Sequence, residues 1–589
     1  MQDLKTASQE KQLIVLGCSA TKIETKGVLP AIDLYDGPAF RVLRSYLRRF
    51  HWPDRLSIAV LSAKYGMIGG LSHITTYEKR MTAGRANRLA TTVSATLRDW
   101  GTSHNRIELL LGQDYLPSID PALLEGTESK FHVAPGPIGM KLNRLHGLLR
   151  EVGSISRTTS KPLPKLDRPL YFVPDWDDFI DVNYDFQKDA FSHAERASRH
   201  EEHSIALMRP RRLCDGVLVS LAQNLGTKGL LRRVGVATAD SLKPRSVRQH
   251  FKLADDQWAF GDCGAFSYVN EDRPTITVDQ AVSLYDLYEF DLGASVDHIP
   301  VTEIIVPSGK KTLSRKARQA RVKLTRENAD RFIRLHKVRN ARFIPVGVVQ
   351  GLDPKDYAGQ IGAYVEMGYR HLAIGGLVPR SDADLLAIVQ AIHAETRTRK
   401  SSPWIHLLGV FRPALQSHFR TLGVGSFDSA TYFRKAWLRS DQNYLGADGR
   451  WYAAIRVPPL RDPRIKGRLE ESGVEASKLA EMELRALEGL RGFDKGEVPI
   501  DDALEAVVQY DRLLQRAELS DRKLLAAYRR TLEAKPWQAC GCAMCKKLGI
   551  EVLIFRGINR NKRRGAHNTL QLFEKVNKNI VADPHADIP

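Results

Sequence analysis

The sequence predicts an α/β protein in three parts: a small three-layer α/β domain, a (β/α)8 TIM barrel and a C-terminal metal-binding subdomain. Three observations carry that prediction. Apolar runs of strand length alternate with amphipathic stretches of helix length over residues 11–150. The alternation resumes at residue 170 and runs through eight units to residue 429. Three cysteines then fall within six residues near the C-terminus, and a histidine follows them.

In the first part, LIVLG (13–17), SIAVLSA (57–63) and IELLLG (107–112) alternate with AFRVLRSYLRRF (39–50) and ANRLATTVSATLRDW (86–100). That pattern assigns residues 1–152 to a Rossmann-like domain with a mainly parallel sheet. The polar, proline-rich SISRTTSKPLPKLDRP reads as a linker, placed at 153–169. The barrel strands are LYFVP (170–174), GVLVSL (216–221), QWAFG (257–261), DLGASV (291–296), FIPVGVVQ (343–350), HLAIGG (371–376), WIHLLGV (404–410) and VGSFDS (424–429). Enough chain lies between most of them for a helix, so the barrel domain is assigned to 170–464. Residues 465–589 read as a helical extension and zinc-binding subdomain, with helices in 476–490, 521–534 and 568–576 and a loose tail, ADPHADIP.

The cysteine run C-G-C-A-M-C supplies Cys540, Cys542 and Cys545, and G-A-H-N supplies His567. Thiolate and imidazole are the preferred ligands of zinc, and four of them complete a tetrahedral structural site with no open position. A structural Zn2+ is therefore expected there. No apolar run nears the roughly 20 residues that span a bilayer, and the N-terminus lacks a signal-peptide layout. The expectation is a cytoplasmic protein without a membrane partner, its cysteines reduced or metal-bound. A net charge of +20 and a pI near 9.6 favour a polyanionic partner, because lysine and arginine on phosphates release counterions. Charge does not separate DNA from RNA, and a solubilising surface is the competing reading.

Chemistry in a TIM barrel sits at the C-terminal ends of the strands. The polar residues collected there are Asp175, Ser220, Asp262, Asp297, Gln350, Gly375, Gly376, Gly409 and Asp428. A single aspartate after a strand reads equally as a helix N-cap. Three of them, Asp262, Asp297 and Asp428, are harder to explain as caps, and a carboxylate there can be a nucleophile at a sugar carbon, a general acid/base or an acceptor for a base's N–H groups.

The motifs at these positions resemble a known family. G-D-C-G-A-F-S-Y (261–268) is similar to the D-S-G-G-F-Q segment of tRNA-guanine transglycosylases. G-V-V-Q-G (347–351), A-I-G-G-L (373–377), H-L-L-G-V (406–410) and S-F-D-S (426–429) resemble that superfamily's later barrel motifs, in order. The C-x-C-x2-C…H-N pattern resembles its zinc subdomain. Within the superfamily, FVPDWDDFIDVNYDF (172–186) and D-C-G-A-F resemble the DNA-directed branch, the DpdA-type 7-deazaguanine DNA transglycosylases.

The resemblance implies a pentosyltransferase in which Asp428 attacks C1′ and Asp262 is the general acid/base. Phe266 then stacks on the base, and Asp297, Gln350, Gly375 and Gly376 bind the purine edge. It implies DNA as partner, with tRNA as the alternative, a 7-deazaguanine such as preQ0 as incoming base, and a homodimer or the partner proteins of a DNA-modification system. A non-catalytic nucleic-acid-binding barrel and a glycosylase that lets water resolve the intermediate are competing readings. The chain departs from the family at Cys263, Ala265 and Ser267, which leaves the incoming base open. Cys263 has no adjacent histidine to make it a nucleophile.

Two basic runs are candidates for phosphate contact. Lys562, Arg563 and Arg564 in NRNKRR (559–564) are expected to form a platform beside the zinc knot, and KKTLSRKARQARVKLTR (310–326) follows the Asp297 strand. Solvated charge is the competing reading for both. A base buried in a duplex must be flipped out to reach a barrel. Trp176 and Tyr268 read either as further stacking partners for it or as core residues. In the first domain, L-G-C-S-A-T-K (16–22), L-S-A-K-Y-G-M-I (61–68) and I-T-T-Y-E-K-R-M (74–81) resemble an uncharacterised α/β domain found with such enzymes. There Cys18, Ser19, Lys22, Lys64 and Tyr77 read as a phosphate-binding edge or as ordinary turn residues.

Overall fold

The computed structural model describes residues 10–24, 29–50, 52, 53, 55–125, 130–153, 162–164, 166–175, 178–224, 242, 246–462, 474–513 and 521–578. Most of the predicted linker, the loose tail and Trp176 lie outside the described residues. The chain divides into two compact units, Met1–Lys165 with Val219–His250 and Trp258–His406, and Leu166–Leu218 with Phe251–Gln257 and Leu407–Pro589.

The N-terminal sheet contains β1 (Gln12–Gly17), β2 (Leu56–Ser62), β3 (Gly66–Gly69), β4 (Arg106–Leu110) and β5 (Phe131–Val133) in the order β3-β2-β1-β4-β5. All neighbours are parallel except β2 and β3. Alternation along β1 produces the three predicted layers. Ile14 and Leu16 face α1 (Pro38–Arg49) and α3 (Ile138–Glu151) through Phe40, Leu43, Leu145 and Leu148. Leu13 and Val15 face α2 (Ala83–Ser103) through Leu89, Val93, Leu97 and Trp100. Thr82 starts α2 as an N-cap, its side chain accepting from Arg85 N.

All eight expected barrel strands are present, at nearly the predicted places. They are β6 (Leu170–Pro174), β7 (Gly216–Ser220), β8 (Trp258–Asp262), β9 (Leu292–Ala294), β10 (Ile344–Val349), β11 (His371–Ile374), β12 (Trp404–Leu407) and β13 (Val424–Asp428). They follow one another around a closed barrel in chain order. The register Ser426–Leu170, Phe427–Tyr171, Asp428–Phe172 joins the last strand to the first. Helices between strands include α4 (Val278–Leu287), which opens with a Thr277–Gln280 capping box, α5 (Arg315–Arg339), α6 (Pro354–Met367) and α7 (Asp382–Thr398). Leu287 of α4 packs against the core of the N-terminal domain.

The C-terminal part is helical, with α8 (Ala476–Lys495), α9 (Ile500–Leu513), α10 (Asp521–Ala534) and α11 (Gly557–Asn577). The last begins at Gly557, well before the predicted start near Asn568. Its first turns bury polar side chains, so no apolar 3.6-residue period announces them. Among the described residues no helix is long and apolar enough to cross a membrane.

Candidate active site and metal centre

Asp262 is the last residue of β8, and the chain turns immediately after it. Gly264 adopts φ of +85° and donates its N–H to Asp262 Oδ2 at 3.0 Å. A Cβ at Gly264 would lie 2.3 Å from Ser220 Oγ and 2.8 Å from Ala222 Cβ, so the turn needs glycine for both conformation and space. The turn leads into a short 3-10 segment, Ala265–Tyr268, that leaves Phe266 59% exposed. An exposed aromatic ring in the turn that follows Asp262 suits stacking on a planar base. Tyr268 is buried instead. Its hydroxyl donates to Cys263 Sγ at 2.9 Å and to Asp297 O at 3.0 Å, so the stacking alternative for Tyr268 gives way to a core role.

Asp297 lies three residues beyond β9 and is 2% exposed. Its Oδ1 accepts from Cys263 Sγ at 2.8 Å and its Oδ2 from Gln350 Nε2 at 2.6 Å. Burial raises its carboxyl above the usual range. Burial also raises the Cys263 thiol far above its ordinary value, with Asp297 adding to the effect. Cys263 is thus a neutral donor that buttresses Asp297, not a thiolate nucleophile. Donor atoms of Asp262, Cys263 and Asp297 lie within 4.8 Å of one another.

Gln350 follows β10 and is 1% exposed; its Oε1 has no hydrogen-bond partner among the described residues. Gly375 and Gly376 lie against it. A Cβ on Gly375 would stand 2.2 Å from Gln350 Nε2, so any side chain there would displace the amide. Tyr357 Oη holds Gly375 O at 2.8 Å, and Gln360 Nε2 holds Gln350 O at 2.8 Å. Neither Tyr357 nor Gln360 is apparent from the motifs, because each comes from α6 and acts through the backbone. Tyr268 was visible in the D-C-G-A-F-S-Y run, but its supporting role was not.

In the other unit, Asp428 ends β13 at 6% exposure and accepts from Gly409 N at 2.8 Å. Phe427 beside it stacks between Tyr171 and Phe411, at ring distances of 5.2 Å and 5.1 Å. Tyr171 Oη donates to Ser429 O at 2.9 Å, which fixes the backbone on the far side of Asp428. A carboxylate held this way has a fixed direction and little freedom to lose on reaction.

Cys540, Cys542, Cys545 and His567 converge and are all buried. His567 Nδ1 stands 3.6, 3.5 and 3.4 Å from the three sulfurs. A tetrahedral ion with Zn–S and Zn–N bonds of about 2.3 and 2.0–2.1 Å requires S···N edges of about 3.5 Å, so the donor set fits one ion. The surroundings complete the fit. His567 Nε2 is 2.7 Å from Leu445 O, which leaves Nδ1 as the lone-pair nitrogen. The Tyr444 ring stacks on the imidazole at 4.2 Å, its hydroxyl lies 3.2 Å from Cys545 Sγ, and Cys545 N donates to Cys542 Sγ. The cluster is therefore compatible with a closed, structural zinc site.

The adjoining basic run corrects the expectation of a phosphate platform. Arg563 and Arg564 are 4% and 0% exposed. Arg563 donates to Asn559 Oδ1 and to Asp181 O, and Arg564 to Val552 O, Asn561 Oδ1 and Ala436 O. Lys562 is half-buried and gives Nζ to Phe179 O at 2.7 Å. One turn earlier, Arg560 bridges Asp189 and Glu551, and Arg556 bridges Asp189 and Glu483. These guanidiniums are internal struts. Burial brings Arg564 down to about 9 and Arg563 to about 10, with the Arg560 guanidinium adding to the effect on both. Arg564→Glu is accordingly expected to destabilise the fold by about 3–5 kcal/mol or prevent soluble expression. A folded variant with unchanged melting temperature and weakened DNA binding would restore the platform.

The second basic run is divided: Arg321 is buried and donates to Val269 O and Ile299 O, whereas most of its other cations stay outside. The hairpin Glu303–Val306 and Gly309–Thr312 exposes Lys310 and Lys311. Along α5, exposed Lys316, Lys323 and Arg326 recur on one face and, with Lys355 of α6, line a groove of about 650 Å³.

Two comparisons bear on these sites. Residues 13–146 match a family of unknown function, DUF6884. A DNA-guanine transglycosylase of Salmonella montevideo is 33% identical to the chain over 411 residues, which cover 69% of this chain and 96% of the relative.

Proposed function

Because the chain belongs to the DNA-guanine transglycosylase family, we propose that it exchanges guanine in DNA for a 7-deazaguanine base, preQ0 or a close relative, through a covalent intermediate on Asp428. The Asp428 carboxylate attacks C1′, the C1′–N9 bond breaks, and Asp262 delivers a proton to the departing guanine. Asp262 then removes the N9 proton of the incoming base as that nitrogen attacks C1′ and the carboxylate leaves. Bonds and protons balance over the two steps, so no ATP or redox cofactor enters.

One observation carries the choice of a purine edge as ligand. Gln350 Oε1 is a buried acceptor without a partner among the described residues, next to Gly375 and beside the Asp297 carboxyl. An unsatisfied buried acceptor costs about 1–3 kcal/mol, and an N–H on the base relieves it. Phe266 stacks on the same base, which reaches the site flipped out of the stack. Bound by Cys540, Cys542, Cys545 and His567, zinc serves as a brace and takes no part in the exchange.

The α5 groove is the proposed seat for the nucleic-acid backbone. Lys316→Glu with Lys323→Glu should lower the slope of log K against log salt by about 2 without changing the melting temperature. An unchanged slope would leave these lysines as surface charge. The function itself is tested by mass spectrometry of nucleosides from DNA and from tRNA after incubation with isotopically labelled preQ0. Label in DNA nucleosides supports the proposal; label only in tRNA nucleosides overturns DNA as substrate, and guanine release without label overturns exchange.

A further inference from the structure

The N-terminal domain carries a cluster that base exchange does not use. In its sheet the chain leaves the central strand β1 for β2 on one side and later crosses to β4 on the other. The loops after β1 and β4 therefore diverge, which is where open parallel sheets bind ligands. Cys18 follows β1, and Tyr115 comes from the turn after β4. Tyr115 Oη lies 3.2 Å from Cys18 Sγ and donates to Cys18 O at 2.9 Å. At the end of β2, Ser62 Oγ lies 3.1 Å from Tyr35 Oη and 2.8 Å from Tyr77 Oη, while the two phenol oxygens are 2.7 Å apart. Burial lifts Tyr77 to about 12 and Tyr35 further, so this floor is neutral at physiological pH.

Positive charge gathers over that neutral floor. Lys22 Nζ lies 4.7 Å from the centre of the Tyr77 ring, and Lys64 Nζ lies 5.4 Å from the same ring and 4.9 Å from that of Tyr65. Arg85 adds a guanidinium bonded to Ala63 O and Lys64 O. Among the described residues neither ammonium has a carboxylate within ion-pair distance. The carboxylate that precedes α1, Asp36, is held by Arg41 and Arg44. Cation–π contact at an exposed site offers only about 0.5–1 kcal/mol per pair, and two ammoniums at one ring repel. A bound anion converts that repulsion into attraction. Tyr65, 38% exposed and edge-on to Tyr77 at 5.5 Å, adds a ring face beside the charge.

We propose that Lys22 and Lys64 bind the phosphate group of a nucleotide, with Tyr65 flanking it, in a site separate from the base-exchange barrel. The same phosphate chemistry is offered by a free mononucleotide and by a nucleic-acid strand. Both are tested by calorimetric titration of the full chain. One arm uses thymidine 5′-monophosphate, whose pyrimidine does not suit a guanine site. The other uses a short single-stranded oligodeoxynucleotide, titrated with Lys316→Glu and Lys323→Glu already present so that the α5 groove does not mask the result. Each arm compares the chain with and without Lys22→Ala and Lys64→Ala.

The expected result is at least a tenfold loss of affinity in the double-alanine variant at unchanged melting temperature. Loss in the mononucleotide arm identifies a free nucleotide, and loss only in the oligonucleotide arm identifies a strand. Affinity unaltered in both arms, or absent from both before the lysines are changed, overturns the proposal. Base exchange is not read in either arm, so failure here is distinct from failure of the transglycosylase assignment.

Discussion

Asp428→Asn should abolish both guanine release and any covalent protein–DNA adduct. Asparagine keeps the shape of the side chain and an oxygen for the Gly409 N–H that Asp428 now accepts at 2.8 Å, so the end of β13 stays in place. What it lacks is a charged oxygen able to displace a base from C1′. Loss of a catalytic group that forms a covalent bond costs other enzymes at least about 10⁴-fold in rate, or roughly 5.5 kcal/mol of activation free energy. The measurement is release of radiolabelled guanine from DNA in a single turnover, with the adduct sought on a denaturing gel. An unchanged melting temperature shows that the variant is folded. Exchange at a comparable rate in the folded asparagine variant would rule out Asp428 as the nucleophile and shift attention to Asp262.

The barrel was legible because parallel strands covered on both faces read as continuous apolar runs. LYFVP is observed as Leu170–Pro174 and VGSFDS as Val424–Asp428, nearly residue for residue. Asp262 and Asp428 stand out as candidates because each closes such a run, and the cysteines because their spacing is unusual. What stayed hidden depends on partners far away in the chain. NRNKRR looks like a basic platform until Asp189, Glu483 and Glu551 are seen to hold Arg556 and Arg560, and main-chain carbonyls to hold Arg563 and Arg564. Charge in a sequence has no address, since an arginine on phosphate and one buried among acids are written alike. The Cys263–Asp297–Gln350 chain was hidden for a related reason. Its members come from three successive strand ends, and only the closed barrel places them within hydrogen-bond reach.

Removing the metal should have the largest effect on stability. Cys542→Ser is expected to reduce zinc from one ion per chain to a small fraction and to lower the unfolding transition of the C-terminal part by roughly 10–20 °C. Structural zinc contributes apparent binding free energies of about 10–16 kcal/mol in small zinc domains, and only part of that need be lost for so large a shift. Cys542 is fully buried, and its sulfur also accepts the N–H of Cys545 at the start of the Ala543–Leu548 helix. The same cluster reaches α11 through His567 and the Tyr444–Leu445 segment through the imidazole's second nitrogen. Three elements therefore lose a common tie, and α11 is the helix whose Arg560, with Arg556 at its N-cap, holds Asp189, Glu483 and Glu551. Zinc content by mass spectrometry and unfolding by calorimetry give the two readouts. A metal-free Cys542→Ser protein with unchanged stability would show that the arginine struts alone hold α11 and that the ion is dispensable. Asp428→Asn should retain its zinc in full, so the two variants together separate the brace from the chemistry.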